Sequence, residues 1–124
     1  MLAMATAAVL VFLAGMHFYW AAFGTGKRSA AIPEVDGVPV FKPSKAATAA
    51  VGVVLLGTAA VVLLDVKLLL AGAAAVLILR AVGDFRLVGF FKRVRGSKFA
   101  HMDTLLYSPL CLALGAALAV LAAR

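Results

Sequence analysis

Four stretches without a charged side chain dominate this chain: residues 2–26, 46–64, 68–79 and 104–123. A helix needs about 20 mainly apolar residues to cross the hydrocarbon core of a bilayer. The first, second and fourth stretches meet that length unaided. The third is interrupted by Arg80 and reaches it only if its helix continues through Asp84 to Leu87. The rest of the composition agrees with a membrane setting. Hydrophobic residues make up 65% of the chain and charged residues 14%, with a mean hydropathy of +1.11. A water-soluble domain carries roughly 45–50% apolar and about 25% charged residues. A soluble globule, a disordered tail and a collagen-like chain are excluded.

The reading is therefore an all-α, polytopic membrane protein. One four-helix transmembrane domain spans residues 1–124, with helices at about 2–23, 46–64, 68–87 and 104–123. The first stretch lacks the basic start of a signal peptide and ends on bulky residues, so it reads as a retained span. Tyr19 and Trp20 suit the headgroup level, where an amphipathic ring has its body in lipid and its polar tip in water. Glycines and prolines at 24, 26, 33, 37, 39 and 43 make the first loop irregular. Residues 65–67 leave only a short turn between the second and third helices.

Ten of the twelve Lys and Arg residues fall in two regions: Lys27, Arg28, Lys42 and Lys45, then Arg80, Arg86, Lys92, Arg93, Arg95 and Lys98. With four spans these regions share a side, and the positive-inside rule makes that side cytoplasmic. Both termini then lie outside. The net charge of +7 is matched by anionic lipid rather than by nucleic acid, because the cations flank spans. Small residues allow close helix approach in lipid, and the second helix offers Ala46, Ala50, Gly52, Gly57 and Ala60.

Chemistry-bearing residues gather at the proposed cytoplasmic end: His17, Tyr19, Trp20, Arg80, Asp84, Arg86, His101, Asp103 and Tyr107. Charges below the headgroups are costly and ordinarily pair, line a cavity or snorkel. At i,i+4 on a continuing helix, Arg80 would pair with Asp84. Pro109 either kinks the fourth helix or starts a shorter one with Ser108 as its cap. Residues 90–99 interleave aromatics with cations. They read as an interfacial segment, with Phe90, Phe91 and Phe99 at the lipid boundary and Lys92, Arg93, Arg95 and Lys98 toward headgroups.

Several chemistries lack their residues. Cys111 is the single cysteine, so neither an internal disulfide nor a C-x-x-C redox pair forms. His17, His101, Asp84 and Asp103 show no metal-ligand spacing, and no cofactor is expected. Residues 24–27 are too short for a phosphate loop.

The run Arg80-Ala81-Val82-Gly83-Asp84-Phe85-Arg86 is followed by Gly89-Phe90-Phe91-Lys92, Phe99-Ala100, Asp103 and Tyr107-Ser108-Pro109-Leu110. Together with His17-Phe18-Tyr19-Trp20, Gly24 and Ile32-Pro33, this resembles a bacterial family of small four-helix membrane proteins of unknown function. The resemblance implies four helices in a bacterial inner membrane and transfers no catalytic residue. It leaves three functional readings. The leading one is a non-enzymatic module that binds an anionic lipid or lipid-like molecule at its cytoplasmic mouth, or serves as an accessory subunit in a membrane complex. A small oligomeric transporter or channel is the second, and a membrane enzyme using His or Asp as acid and base is the third. Membrane lipids are the expected partners, with a protein partner or a second copy also open.

Overall fold

The computed structural model of the protein describes residues 1–24 and 31–124. Lys27 and Arg28, which entered the orientation argument, lie outside the described residues. The chain is helical: α1 (Leu2–Phe23), α2 (Lys45–Leu64), α3 (Lys67–Val82), α4 (Lys98–Met102) and α5 (Ser108–Ala123). A π-helical turn at Asp103–Tyr107 joins α4 to α5, giving one continuous helix of 26 residues. Among the described residues three helices are long and apolar enough to cross a membrane: Leu2–Phe23, Lys45–Leu64 and Lys98–Ala123.

α3 differs from the sequence expectation. It stops at Val82 after 16 residues, not at Leu87. Gly83 takes φ +88° and its N–H bonds back to the Leu79 carbonyl at 2.8 Å. A left-handed glycine closing a helix satisfies an otherwise orphaned carbonyl, and the helix ends there. At 1.5 Å per residue α3 is about 24 Å long, short of a full hydrocarbon core of about 30 Å.

The first loop also holds more order than its glycines and prolines suggested. Glu34–Val35 (β1) pairs antiparallel with Val38–Pro39 (β2). Asp36 and Gly37 both have positive φ, 53° and 78°. That is the two-residue turn whose twist matches paired strands, and Asp-Gly is among its preferred sequences.

The structure divides into two compact units. The first comprises residues 1–24, 43–74 and 116–124. Its α1 and α2 pack against each other. α1 buries Thr6, Ala7, Leu10 and Ala14, a helical-spacing stripe, and α2 buries Gly52, Ala59 and Val62. Ala46, Ala50, Gly57 and Ala60, expected in the packing stripe of α2, are exposed. Gly52 is small for a reason: an added Cβ would stand 2.8 Å from the Phe18 ring. α2 begins at Ser44, whose Oγ accepts from the Ala47 N–H at 3.0 Å, and ends at Asp65 in the left-handed conformation. Lys67 then bridges the Asp65 carboxylate and the Leu121 carbonyl, both at 2.8 Å.

The described residues of the second unit are 31–42 and 75–115. It holds the end of α3, the loop to α4, the π-turn and the start of α5.

Candidate functional site

The second unit is organised around one carboxylate. Asp103 is fully buried, and its four hydrogen-bond positions are all taken. Oδ1 accepts from Arg80 Nη2 at 2.8 Å and from Ser108 Oγ at 3.0 Å. Oδ2 accepts from the Gly89 N–H at 2.8 Å and lies 3.1 Å from Lys92 Nζ.

Each partner reaches Asp103 for a local reason. Pro109 has no N–H, and its ring would press on the carbonyl four residues back, at Leu105. The backbone answers with a wider turn: the Ser108 N–H bonds to the Asp103 carbonyl, five residues back. In a regular α-helix residues five apart point about 140° away from each other. The extra residue of the π-turn returns Ser108 to the face of Asp103. Single-turn π-bulges of this kind are frequent at functional sites.

The loop between α3 and α4 delivers Gly89 and Lys92. Gly83 and Gly89 both have positive φ and touch backbone to backbone. An added Cβ on Gly83 would overlap the Val88 carbonyl, and one on Gly89 would overlap the Gly83 backbone. The Phe90 N–H bonds to the Ala81 carbonyl at 2.8 Å, tying the returning chain to the last turn of α3. Between the glycines, Asp84 Oδ1 accepts the N–H groups of Arg86, Leu87 and Val88 at 2.9, 2.8 and 3.2 Å. Those backbone donors, Arg86 and Leu87 foremost, hold the Asp84 carboxyl below its ordinary value.

Three expectations are corrected here. Arg80 does not pair with Asp84. The helix ends before Asp84, so the i,i+4 geometry never forms; Asp84 caps the loop while Arg80 turns to Asp103. Lys92 does not face headgroups. It is buried, with Nζ donating to the Gly89 carbonyl at 3.1 Å and to Thr104 Oγ1 as well as facing Asp103. An ammonium has three donors, and all three are used. Phe99, expected at the lipid boundary, is buried against Tyr107, with ring centroids 5.7 Å apart.

The other expected residues divide between the units. In the first, His17 Nδ1 lies 2.7 Å from the Leu13 carbonyl and its ring meets Trp20 edge to face at 5.1 Å. Tyr19 is exposed beside Phe23. In the second, Arg86, Arg93, Arg95, Lys98 and His101 are exposed. Arg93 Nε donates to the Phe85 carbonyl at 3.2 Å and Arg95 Nη2 to the Phe90 carbonyl at 2.9 Å. The sequence reading missed Ser108, Thr104 and Gly89 as members of the Asp103 cluster. A usable signal was there: Asp103 heads the fourth apolar stretch and Arg80 breaks the third, and two charges at such depths ordinarily meet.

The cluster carries two cations and one carboxylate. Asp103 and Lys92 are saturated, but Arg80 is not: Nη1 is buried and has no hydrogen-bond partner among the described residues. The cluster is therefore net positive, and its unspent donor is on Arg80. A guanidinium in that state is suited to a carboxylate or phosphate oxygen, which it grips with a planar fork. Among the described residues no three His, Cys, Asp or Glu side chains group as a metal site would require.

Three membrane-length apolar helices and a charge cluster sealed by hydrogen bonds define a helical membrane protein. Residues 10–118 match the family described as "Protein of unknown function (DUF3995)", and the chain belongs to that family. No curated protein and no solved structure matches it.

Proposed function

We propose that this protein is a non-enzymatic, multi-pass protein of a bacterial inner membrane that binds the anionic headgroup of a lipid or lipid-like molecule at Arg80. One observation carries the reading: Arg80 Nη1 is buried beside a net-positive Arg80–Asp103–Lys92 cluster and has no acceptor among the described residues. An unsatisfied buried donor costs about 1–3 kcal/mol, more when charged, and an anionic oxygen would relieve that cost. In this proposal α3 is a fourth crossing. Its shortness is accommodated by local bilayer thinning and by Arg80 reaching for the interface. The basic loops are cytoplasmic and both termini lie outside. Arg95→Cys in a Cys111→Ser background should then resist an impermeant thiol reagent in intact cells.

The binding test is Arg80→Lys. Lysine still supplies a cation to Asp103 but has no second NH2 to offer. Purified protein should keep its helicity and lose most of its co-purifying anionic lipid by mass spectrometry. Titration with short-chain phosphatidylglycerol and with inorganic phosphate separates a lipid site from a simple phosphate site. Unchanged lipid content in Arg80→Lys would overturn the reading.

A further inference from the structure

The loop that delivers Gly89 and Lys92 carries a second surface, which the Arg80 site does not use. Phe85 has φ +65°. A bulky side chain in the left-handed region is a strained conformation, and such strain persists only where surrounding structure imposes it. Here it is imposed from both sides: Asp84 fixes the three N–H groups that follow, and the Arg93 guanidinium holds the Phe85 carbonyl. The strained residue is not buried by this. Phe85 is 57% exposed and Phe91 60% exposed, and their rings stand together with centroids 6.3 Å apart. Arg86, Arg93, Arg95 and Lys98 are exposed on the same loop and the start of α4, against one exposed carboxylate, Asp84.

We infer that the Phe85–Phe91 pair is a preformed wedge that seats the loop between α3 and α4 in the interface of an anionic bilayer. The occupant follows from chemistry and from chain position. The loop leads directly into Lys98–Ala123, a helix long and apolar enough to cross a membrane, so its end lies beside a bilayer surface. Apolar rings flanked by cations match the boundary between acyl chains and anionic headgroups. Because hydrogen bonds within the loop already hold the rings together, insertion costs little further ordering. The wedge differs from the sequence expectation in its residues. Phe85 and Phe91 form it, while Phe99 is core and Lys92 belongs to the Asp103 cluster. It is also independent of Arg80: the loop can seat in lipid whether or not Arg80 holds a headgroup.

The test uses the full chain in bilayers. Trp20 is the single tryptophan, so a Trp20→Phe, Phe91→Trp protein reports from one position. In phosphatidylcholine vesicles containing phosphatidylglycerol, its emission should be quenched by lipids brominated near the headgroup and shielded from aqueous acrylamide. Adding Phe85→Asn removes one ring while keeping a residue that tolerates positive φ. That variant should keep the same helicity, lose much of the bromolipid quenching and gain acrylamide access. Free acrylamide access without bromolipid quenching in the parent protein would overturn the wedge. Equal quenching with and without phosphatidylglycerol would overturn its preference for an anionic surface. A Phe85→Trp protein in the same background repeats the measurement from the other ring, in case Phe91→Trp does not fold.

Discussion

The two units of this protein meet the same solvent problem in opposite ways. In the first, α1 and α2 bury Ala7, Leu10, Ala14, Gly52, Ala59 and Val62, with Phe18 lying over Gly52. Lipid tails are as apolar as these side chains, so the pairing rests on van der Waals fit. In the second, the centre is Asp103 with Arg80, Lys92, Ser108 and the Gly89 N–H around it. There the organising force is electrostatic and directional, and each ligand of the carboxylate has to be delivered by its own piece of backbone. A packing stripe tolerates small adjustments. An ionic cluster around a buried carboxylate does not, because losing one member leaves the others charged without their partner.

The difference orders the expected effects of substitution. Asp103→Asn should be the most damaging change, costing about 3–5 kcal/mol, since it leaves two cations without a counter-charge. Lys92→Met should cost less, because Arg80 and Asp103 remain a neutral pair. Combining the two should cost less than the sum of the singles. Thermal unfolding in detergent measures all three, and strict additivity would show that the side chains do not interact.

Gly83→Ala and Gly89→Ala come next. Each places a Cβ into facing backbone at a positive φ, and each should cost about 3 kcal/mol. Melting curves would show this, and a neutral Gly89→Ala would mean that the loop does not close on itself.

Asp84→Ala should cost about 1 kcal/mol, comparable to losing a helix cap. Its pH dependence has a definite sign. The folded carboxyl titrates below its ordinary 3.8, so its stabilisation is complete above that value. It fades as the pH falls through 3.8 toward the folded value. The difference in melting temperature between wild type and Asp84→Ala should therefore be constant near neutrality and shrink in acid. A gap that widens in acid would contradict the capping role.

Gly52→Ala, in the apolar unit, should have the smallest effect, about 1 kcal/mol or less, because the Phe18 ring is partly exposed and can swing aside. If it proved as damaging as Asp103→Asn, the contrast between the units would fail.

The apolar unit was the more legible from sequence for the same physical reason. A run of uncharged residues encodes a spanning helix by length alone, and α1 and α2 match the expected helices at 2–23 and 46–64 to within one residue. The ionic unit depends on contacts between residues far apart in sequence. Arg80 was read against Asp84 because they are neighbours at helical spacing, yet Gly83 ends the helix between them and Asp103, 23 positions away, takes the arginine. Nothing local marks Lys92 as buried: its neighbours Phe91 and Arg93 are both exposed. The Asp36-Gly37 turn was readable and was hidden by the surrounding prolines. The π-turn was half readable, since Pro109 signals a disturbed helix but not that the disturbance would bring Ser108 onto Asp103.

The proposed headgroup site rests on the unpartnered Nη1 of Arg80, and the guanidinium itself can report on its occupancy. In protein labelled with 15N-arginine, the Arg80 Nη signals are assigned by their loss in Arg80→Lys. Titrating short-chain phosphatidylglycerol into detergent-solubilised protein should shift the Arg80 Nη1 resonance saturably, at lipid concentrations below those that move the exposed Arg86, Arg93 and Arg95. An Arg80 resonance indifferent to the lipid, or one moving in step with every other arginine and without saturation, would contradict the account.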